Sequence, residues 1–125
     1  MQVISTYSRE DAIADGVLFR IPQNLALRGG FRGECVCSLT LHAAIKERAE
    51  DEARRSHGSV DTFVGLLMLK MMLNAHRAIM ESVNKGEQTN IVSFEEKECG
   101  VSCFVQVEQE DIGKVVWTFM AKSDY

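Results

Sequence analysis

From Asp61 to Lys85 apolar residues occupy so many positions that a helix there is hydrophobic around most of its circumference. Val64, Leu67, Met71, Ala75, Ala78 and Ser82 form one stripe, and Leu66, Leu69, Met72, Leu73, Ile79, Met80 and Val83 widen it. Such a helix has to be covered on more than one side. Ser59 stands before it as an N-cap candidate and Gly86 just past its end. Lys70, Asn74, His76 and Arg77 break the apolar run, which predicts a helix of the domain and no membrane span. Upstream, from Ser38 or Thr40, Leu41, Ala44, Ile45 and Ala49 mark one face of a second helix. Its other face is charged, with four-apart pairs Glu50–Arg54 and Asp51–Arg55, and Gly58 is its expected stop.

After Gly86 the period changes to two. Ile91–Phe94, Val101–Val107 and Lys114–Met120 read as strands, with turns at Glu95 to Gly100 and Glu108 to Gly113. Connections this short predict an antiparallel meander, with Val115, Trp117 and Phe119 facing the long helix. Val17–Ile21 is a short strand candidate stopped by Pro22. Gln23–Gly33, with three glycines in Arg28-Gly-Gly-Phe-Arg-Gly33, reads as a mobile loop. The expected fold is α+β, residues 1–125 forming a single domain: a small three-stranded antiparallel meander packed against two longer helices, plus a short N-terminal helix.

That short helix is written into Tyr7-Ser-Arg-Glu-Asp-Ala-Ile-Ala-Asp-Gly-Val-Leu18. Ser8 is the cap, Asp11 takes the third position of a capping box, and Gly16 suits a left-handed end. With only Ala12 and Ile13 as apolar surface it has to dock through Tyr7, Val17 and Leu18. The same stretch resembles the opening of a small uncharacterised family of plasmid- and phage-borne proteins that begin Tyr/Phe-Ser-Arg-x-x-Ala-Ile-x-Asp-Gly-Val-Leu. Gly30-Phe31 followed by Val36 and Thr40 resembles that family's Gly-Phe-x-x-Pro-Val-x-x-Thr segment, and the strands Val101 to Val107 and Val115 to Met120 resemble its closing hairpin. The chain departs from the pattern at Cys35, where the family has proline. It departs again at Gln109-Glu110-Asp111-Ile112-Gly113, where the family has a Gly-Pro-Gly-Asp turn. The family carries no established activity, so the resemblance implies a setting, that of mobile genetic elements.

A net charge of −4 lacks the basic excess of a nucleic-acid binder, so no direct nucleic-acid partner is expected. Met-Gln-Val-Ile-Ser has no basic region followed by an apolar run, which predicts no secretory signal and a cytoplasmic location in the host cell. In that compartment Cys35, Cys37, Cys99 and Cys103 are expected as free thiols. The single residue between Cys35 and Cys37 suits a shared zinc ion poorly, so no metal and no cofactor are expected. A cysteine nucleophile would need His42, His57 or His76 beside it, and nothing in the spacing brings them together. No phosphate-binding glycine loop, serine elbow or two-histidine metal helix is present.

Two stretches remain as candidate partner-binding residues. Glu95, Glu96 and Glu98 fall at one end of the meander and Glu108, Glu110 and Asp111 at the other, giving two acidic tips able to dock basic grooves. Arg28, Phe31 and Arg32 belong to the glycine-rich loop. The combined expectation is a non-enzymatic phage- or plasmid-encoded protein that binds a host defence protein, one that handles nucleic acid, as an anti-CRISPR or anti-restriction inhibitor. The alternatives are a small cysteine-dependent enzyme or metal-binding regulator, or a structural or accessory protein of the element. The wide apolar surface of the long helix adds a possible homodimer.

Overall fold

A computed structural model describes residues 8–111 and 113–125, and the side chain of Asp111 lies outside that description, as does Tyr7. Helix α1 (Arg9–Ala14) is closed by the expected capping box: the Asp11 N–H donates to Ser8 Oγ at 3.0 Å, and the Ser8 N–H to Asp11 Oδ2 at 3.2 Å. Gly16, at φ +75°, reverses the chain into β1 (Leu18–Arg20).

The stretch expected as a mobile loop is ordered instead. Pro22 opens a further helix, α2 (Gln23–Arg28), whose Ala26 is buried. After it the chain is pinned across the long helix, with the Phe31 N–H donating to the Ala26 carbonyl at 2.9 Å. The glycines serve close approach here rather than mobility. At Gly33, with φ +109°, an added Cβ would come within 2.4 Å of the Val115 carbonyl oxygen. Next comes a strand that no alternation announces, β2 (Glu34–Ser38). Cys35, Val36, Cys37 and Ser38 are all buried, so both faces of β2 are covered and the period-two signal vanishes.

Helix α3 (Leu39–Ser56) ends at His57, which takes the left-handed conformation at φ +57°, and α4 (Val60–Asn84) returns alongside it. Strands β3 (Ile91–Glu96), β4 (Val101–Asp111) and β5 (Lys114–Ala121) form the expected antiparallel meander. The sheet is larger than the meander. Its order is β1-β2-β5-β4-β3, with β2 pairing parallel to β5 and β1 antiparallel to β2, so among the described residues it is a five-stranded mixed sheet with four α-helices. Parallel pairing of β2 with β5 needs a long crossover, and α3, α4, β3 and β4 supply it.

Alternation along the strands sorts the two faces. Cys37, Phe119, Val105, Cys103 and Phe94 join Leu41 and Ile45 of α3 and Leu67, Met68, Met71 and Met72 of α4 in one core. Phe31 sits inside it, edge-on to Trp117, Phe119 and His76 with ring centroids 4.9, 5.0 and 6.0 Å away. On the opposite face Val36, Val116 and Met120 are buried. Arg9 ties α1 to that face by pairing with Glu34 of β2 and Glu110 of β4. A closing 3₁₀ turn (Lys122–Asp124) reaches back so that Asp124 accepts hydrogen bonds from the Thr40 N–H at 3.2 Å and the Thr40 hydroxyl at 2.7 Å, capping α3 from the far end of the chain.

Helix α4 is long and apolar enough to cross a membrane by length and composition, yet Leu67, Met68, Met71, Met72 and Ala75 are packed in the domain core. Its outward side stays uncovered: Leu66, Leu73 and Met80 are each 46% exposed and Val83 is 59% exposed.

Candidate functional site

Of the two acidic tips, the β3–β4 end is altered most. Strand alternation turns Glu95 outward, where it accepts a hydrogen bond from the Ser102 hydroxyl at 2.8 Å, and turns Glu96 inward on the face of Phe94. Glu96 is fully buried, so the expectation that it contacts a partner is corrected: it offers no surface. Its Oε2 accepts the Cys99 N–H at 2.6 Å and so closes the turn, while its Oε1 has no hydrogen-bond partner. Glu98 remains exposed, 3.5 Å from Lys70 of α4.

Eleven residues of β4 hold the other tip about 35 Å away. There Glu108 is exposed, while Glu110 is drawn into a chain of ion pairs running Glu10–Arg20–Glu34–Arg9–Glu110–Lys114. The Arg9 guanidinium hydrogen-bonds Glu110, which lowers the carboxyl's pKa and raises that of Arg9 against the opposing effect of desolvation. Glu110 is thus a structural tie as much as a surface charge. Asp111 pairs by its backbone with Lys114 across the turn.

In the glycine-rich segment the structure separates the three candidates. Phe31 is 1% exposed and belongs to the core, which corrects its expected role as a contact residue. Arg28 and Arg32 are exposed, and the Arg32 carbonyl accepts the indole N–H of Trp117 at 2.8 Å.

All four cysteines are free; Cys35, Cys37 and Cys103 are buried, and Cys99 is partly exposed. Burial pushes Cys35, Cys99 and Cys103 up to about 12, reinforced at Cys99 and Cys103 by the neighbouring Glu96 carboxylate, and it raises Cys37 as well. A thiol held protonated by burial is a weak nucleophile at neutral pH. Among the described residues no three His, Cys, Asp or Glu side chains converge as metal ligands. His42 stacks flat on Phe19, ring centroids 3.9 Å apart, and burial, then Lys46, lowers its pKa.

A polar cleft of about 430 Å³ opens between α3 and the β3–β4 turn, lined by Ala44, Glu47, Arg48, Asp51, Arg54, Glu98 and Cys99. Arg48 reaches Glu52 at 2.8 Å and Asp51 at 3.4 Å, and Asp51 is shared with Arg54 and Arg55. The Arg48 Nε is buried without a hydrogen-bond partner, so its guanidinium retains an unused donor. Glu98 lies across from these helix charges. The sequence displays Glu47, Arg48 and Asp51 as an ordinary solvated helix face. Only the placement of the β3–β4 turn beside α3 makes them one wall of a cleft. Mixed charges around a shallow opening can grip a polypeptide segment through paired hydrogen bonds and ion pairs.

Comparison with protein-family models, with characterised proteins and with solved structures finds no match to this chain.

Proposed function

We propose that this domain is a non-enzymatic protein of a phage or plasmid that binds a host protein, and that it acts as an inhibitor of a bacterial defence system of the anti-CRISPR or anti-restriction type. The observation that carries the binding reading is the cleft between α3 and the β3–β4 turn. There Glu98 of the turn faces Glu47, Arg48, Asp51 and Arg54 of α3. Carboxylates at such a rim attract a basic segment and set specificity by charge, and nucleic-acid-handling proteins present many such segments. The mobile-element setting rests on the resemblance of Tyr7 to Leu18 and the segments that follow it. A cysteine-dependent enzyme fits less well, because burial holds the thiols protonated.

The test expresses the protein in hosts carrying restriction or CRISPR interference and measures phage plating. Rescue of plating by the wild type, lost in a folded Glu47→Lys/Glu98→Lys variant of the cleft, is the expected result. Unchanged plating on every defended host overturns the anti-defence reading. Rescue that survives the double variant overturns the cleft as the contact.

A further inference from the structure

We infer that the free edge of β3 is a docking site for an extended acidic peptide, which adds a strand to the sheet alongside α4. The inference goes beyond the proposed function and does not depend on it. Strand β3 is the last in the sheet, and among the described residues no strand pairs with its outer edge. The register shows which backbone groups face out. The Val107 N–H donates to the Asn90 carbonyl at 2.9 Å, so Asn90, Val92, Phe94 and Glu96 turn their backbone groups toward β4, and Ile91, Ser93 and Glu95 turn theirs away. Thr89 covers the first of these. Its hydroxyl accepts the Ile91 N–H at 3.2 Å and donates to the Ile91 carbonyl at 3.0 Å. Ser93 and Glu95 have no such cover, so their N–H and C=O groups stand in line along the edge. A row of alternating backbone donors and acceptors is matched by an extended chain.

A groove runs beside this edge. Two adjoining hollows of about 260 and 230 Å³ share Ala78 and Glu81 of α4; one reaches Ile91, Val92 and Ser93, and the other Phe94, Glu95 and Lys97. Small Ala78 leaves room between helix and strand, and partly buried Ala78 and Val92 pack against the core as an apolar floor. An added strand lays every second side chain on that floor and turns the others to the opposite face of the sheet.

Charge selects the peptide. Exposed Arg77 of α4 and Lys97 line the Phe94 end, and neither is ion-paired among the described residues. The neighbouring carboxylates are placed elsewhere: Glu95 lies on the opposite face with Ser102, Glu96 is buried, and Glu98 pairs with Lys70. Farther along, Glu81 stands one turn from both Arg77 and Lys85, and Glu87 accepts the Ser82 hydroxyl at 2.6 Å. The Phe94 end is therefore positive, and an acidic residue of the incoming strand meets it. Antiparallel pairing, slightly the more stable per residue, puts that acid at the peptide's N-terminal end. A second copy of the chain fits less well. Pairing β3 with β3 about Phe94 uses the Ser93 and Glu95 groups of both copies but sets Ile91 opposite Lys97, with no carboxylate there.

Nuclear magnetic resonance titration of the whole chain with acetylated, amidated Asp-Asp-Val-Thr-Val-Thr up to about 1 mM tests the inference, a range that spans weak specific binding. The Ser93 and Glu95 amides should shift and become protected from hydrogen exchange. Ser93→Pro removes an outward N–H that the β3–β4 ladder does not use, so this variant should stay folded and bind at least about tenfold more weakly. Arg77→Glu/Lys97→Glu, at exposed positions, keeps the test open if proline unfolds β3. It should weaken the acidic peptide about tenfold and favour Lys-Lys-Val-Thr-Val-Thr instead. Ser93 and Glu95 amides that do not move, shifts confined to the α3 cleft, or full binding by folded Ser93→Pro overturns the docking edge. Binding unaltered by the charge reversal overturns the acidic partner. Protection of the same amides that rises with protein concentration alone assigns the edge to a second copy and overturns the peptide.

Discussion

Replacing Phe31 by alanine separates a core residue from a contact residue. The ring is 1% exposed and stands edge-on to Trp117, Phe119 and His76. Truncating a buried phenylalanine costs about 3–5 kcal/mol, and edge-to-face ring pairs add about 0.5–1.5 kcal/mol each beyond burial. The measured range for such truncations already includes lost ring contacts, so three of them place the expected loss at its upper end, about 4–5 kcal/mol. A domain of this length has roughly 6–19 kcal/mol of stability in total. Urea unfolding followed by circular dichroism should therefore show the midpoint falling by about 2–3 M, with the slope unchanged at about 1–3 kcal/mol/M. Phe31→Leu, which keeps most of the apolar volume and loses the ring pairs, should cost about 1–2 kcal/mol. Arg32→Ala, one residue on and exposed, should stay within about 0.5 kcal/mol of wild type. A midpoint shift for Phe31→Ala worth less than about 1 kcal/mol would refute the reasoning and return Phe31 to the surface.

Gly33→Ala should cost at least about 2 kcal/mol in thermal or urea unfolding, since alanine is strained at φ +109° and its Cβ meets the Val115 carbonyl oxygen. Gly65→Ala, in open space within α4, should instead stabilise by about 0.5–1 kcal/mol, and equal effects from the two substitutions would sink the account. The Arg9 hydrogen bond holds the folded pKa of Glu110 below its ordinary 4.5, so that pair contributes stability above the unfolded value and loses it as pH falls through the lower folded value. Glu110→Gln should flatten the acid limb of a stability-against-pH curve, and an acid limb identical to wild type counts against the tie. A chromogenic disulfide reagent at pH 7 should react slowly with the native protein, at Cys99 first, and its rate should still be climbing at about pH 9–10; a plateau near pH 8 would mean an ordinary exposed thiol.

The sequence by itself determined every element whose signal is local. The capping box at Ser8 and Asp11, the amphipathic face of α3, the length of α4 with Gly86 beyond it, and the three alternating strands of the meander all follow from periodicity and end chemistry within a few residues. The outward alternation of Glu95 was readable once β3 was placed. Tertiary structure decided what depends on partners distant in the chain. Strand β2 has no alternation because β1 and β5 flank it within the sheet and both its faces are buried, so its identity exists only after β5 pairs with it across the intervening helices and strands. The glycine-rich segment carries the composition of a mobile loop. It is fixed because its small residues let the backbone lie against Met72 and Val115 while Phe31 fills the space between sheet and helix. Glu96 reads as one acid among several until β3 runs two residues further than its apolar run and turns it inward. Glu110 reads as a free tip until Arg9, 101 residues away, meets it. Local pattern reports a residue's neighbours along the chain, and burial and charge pairing depend on neighbours in space, which only the packed sheet and helices bring together.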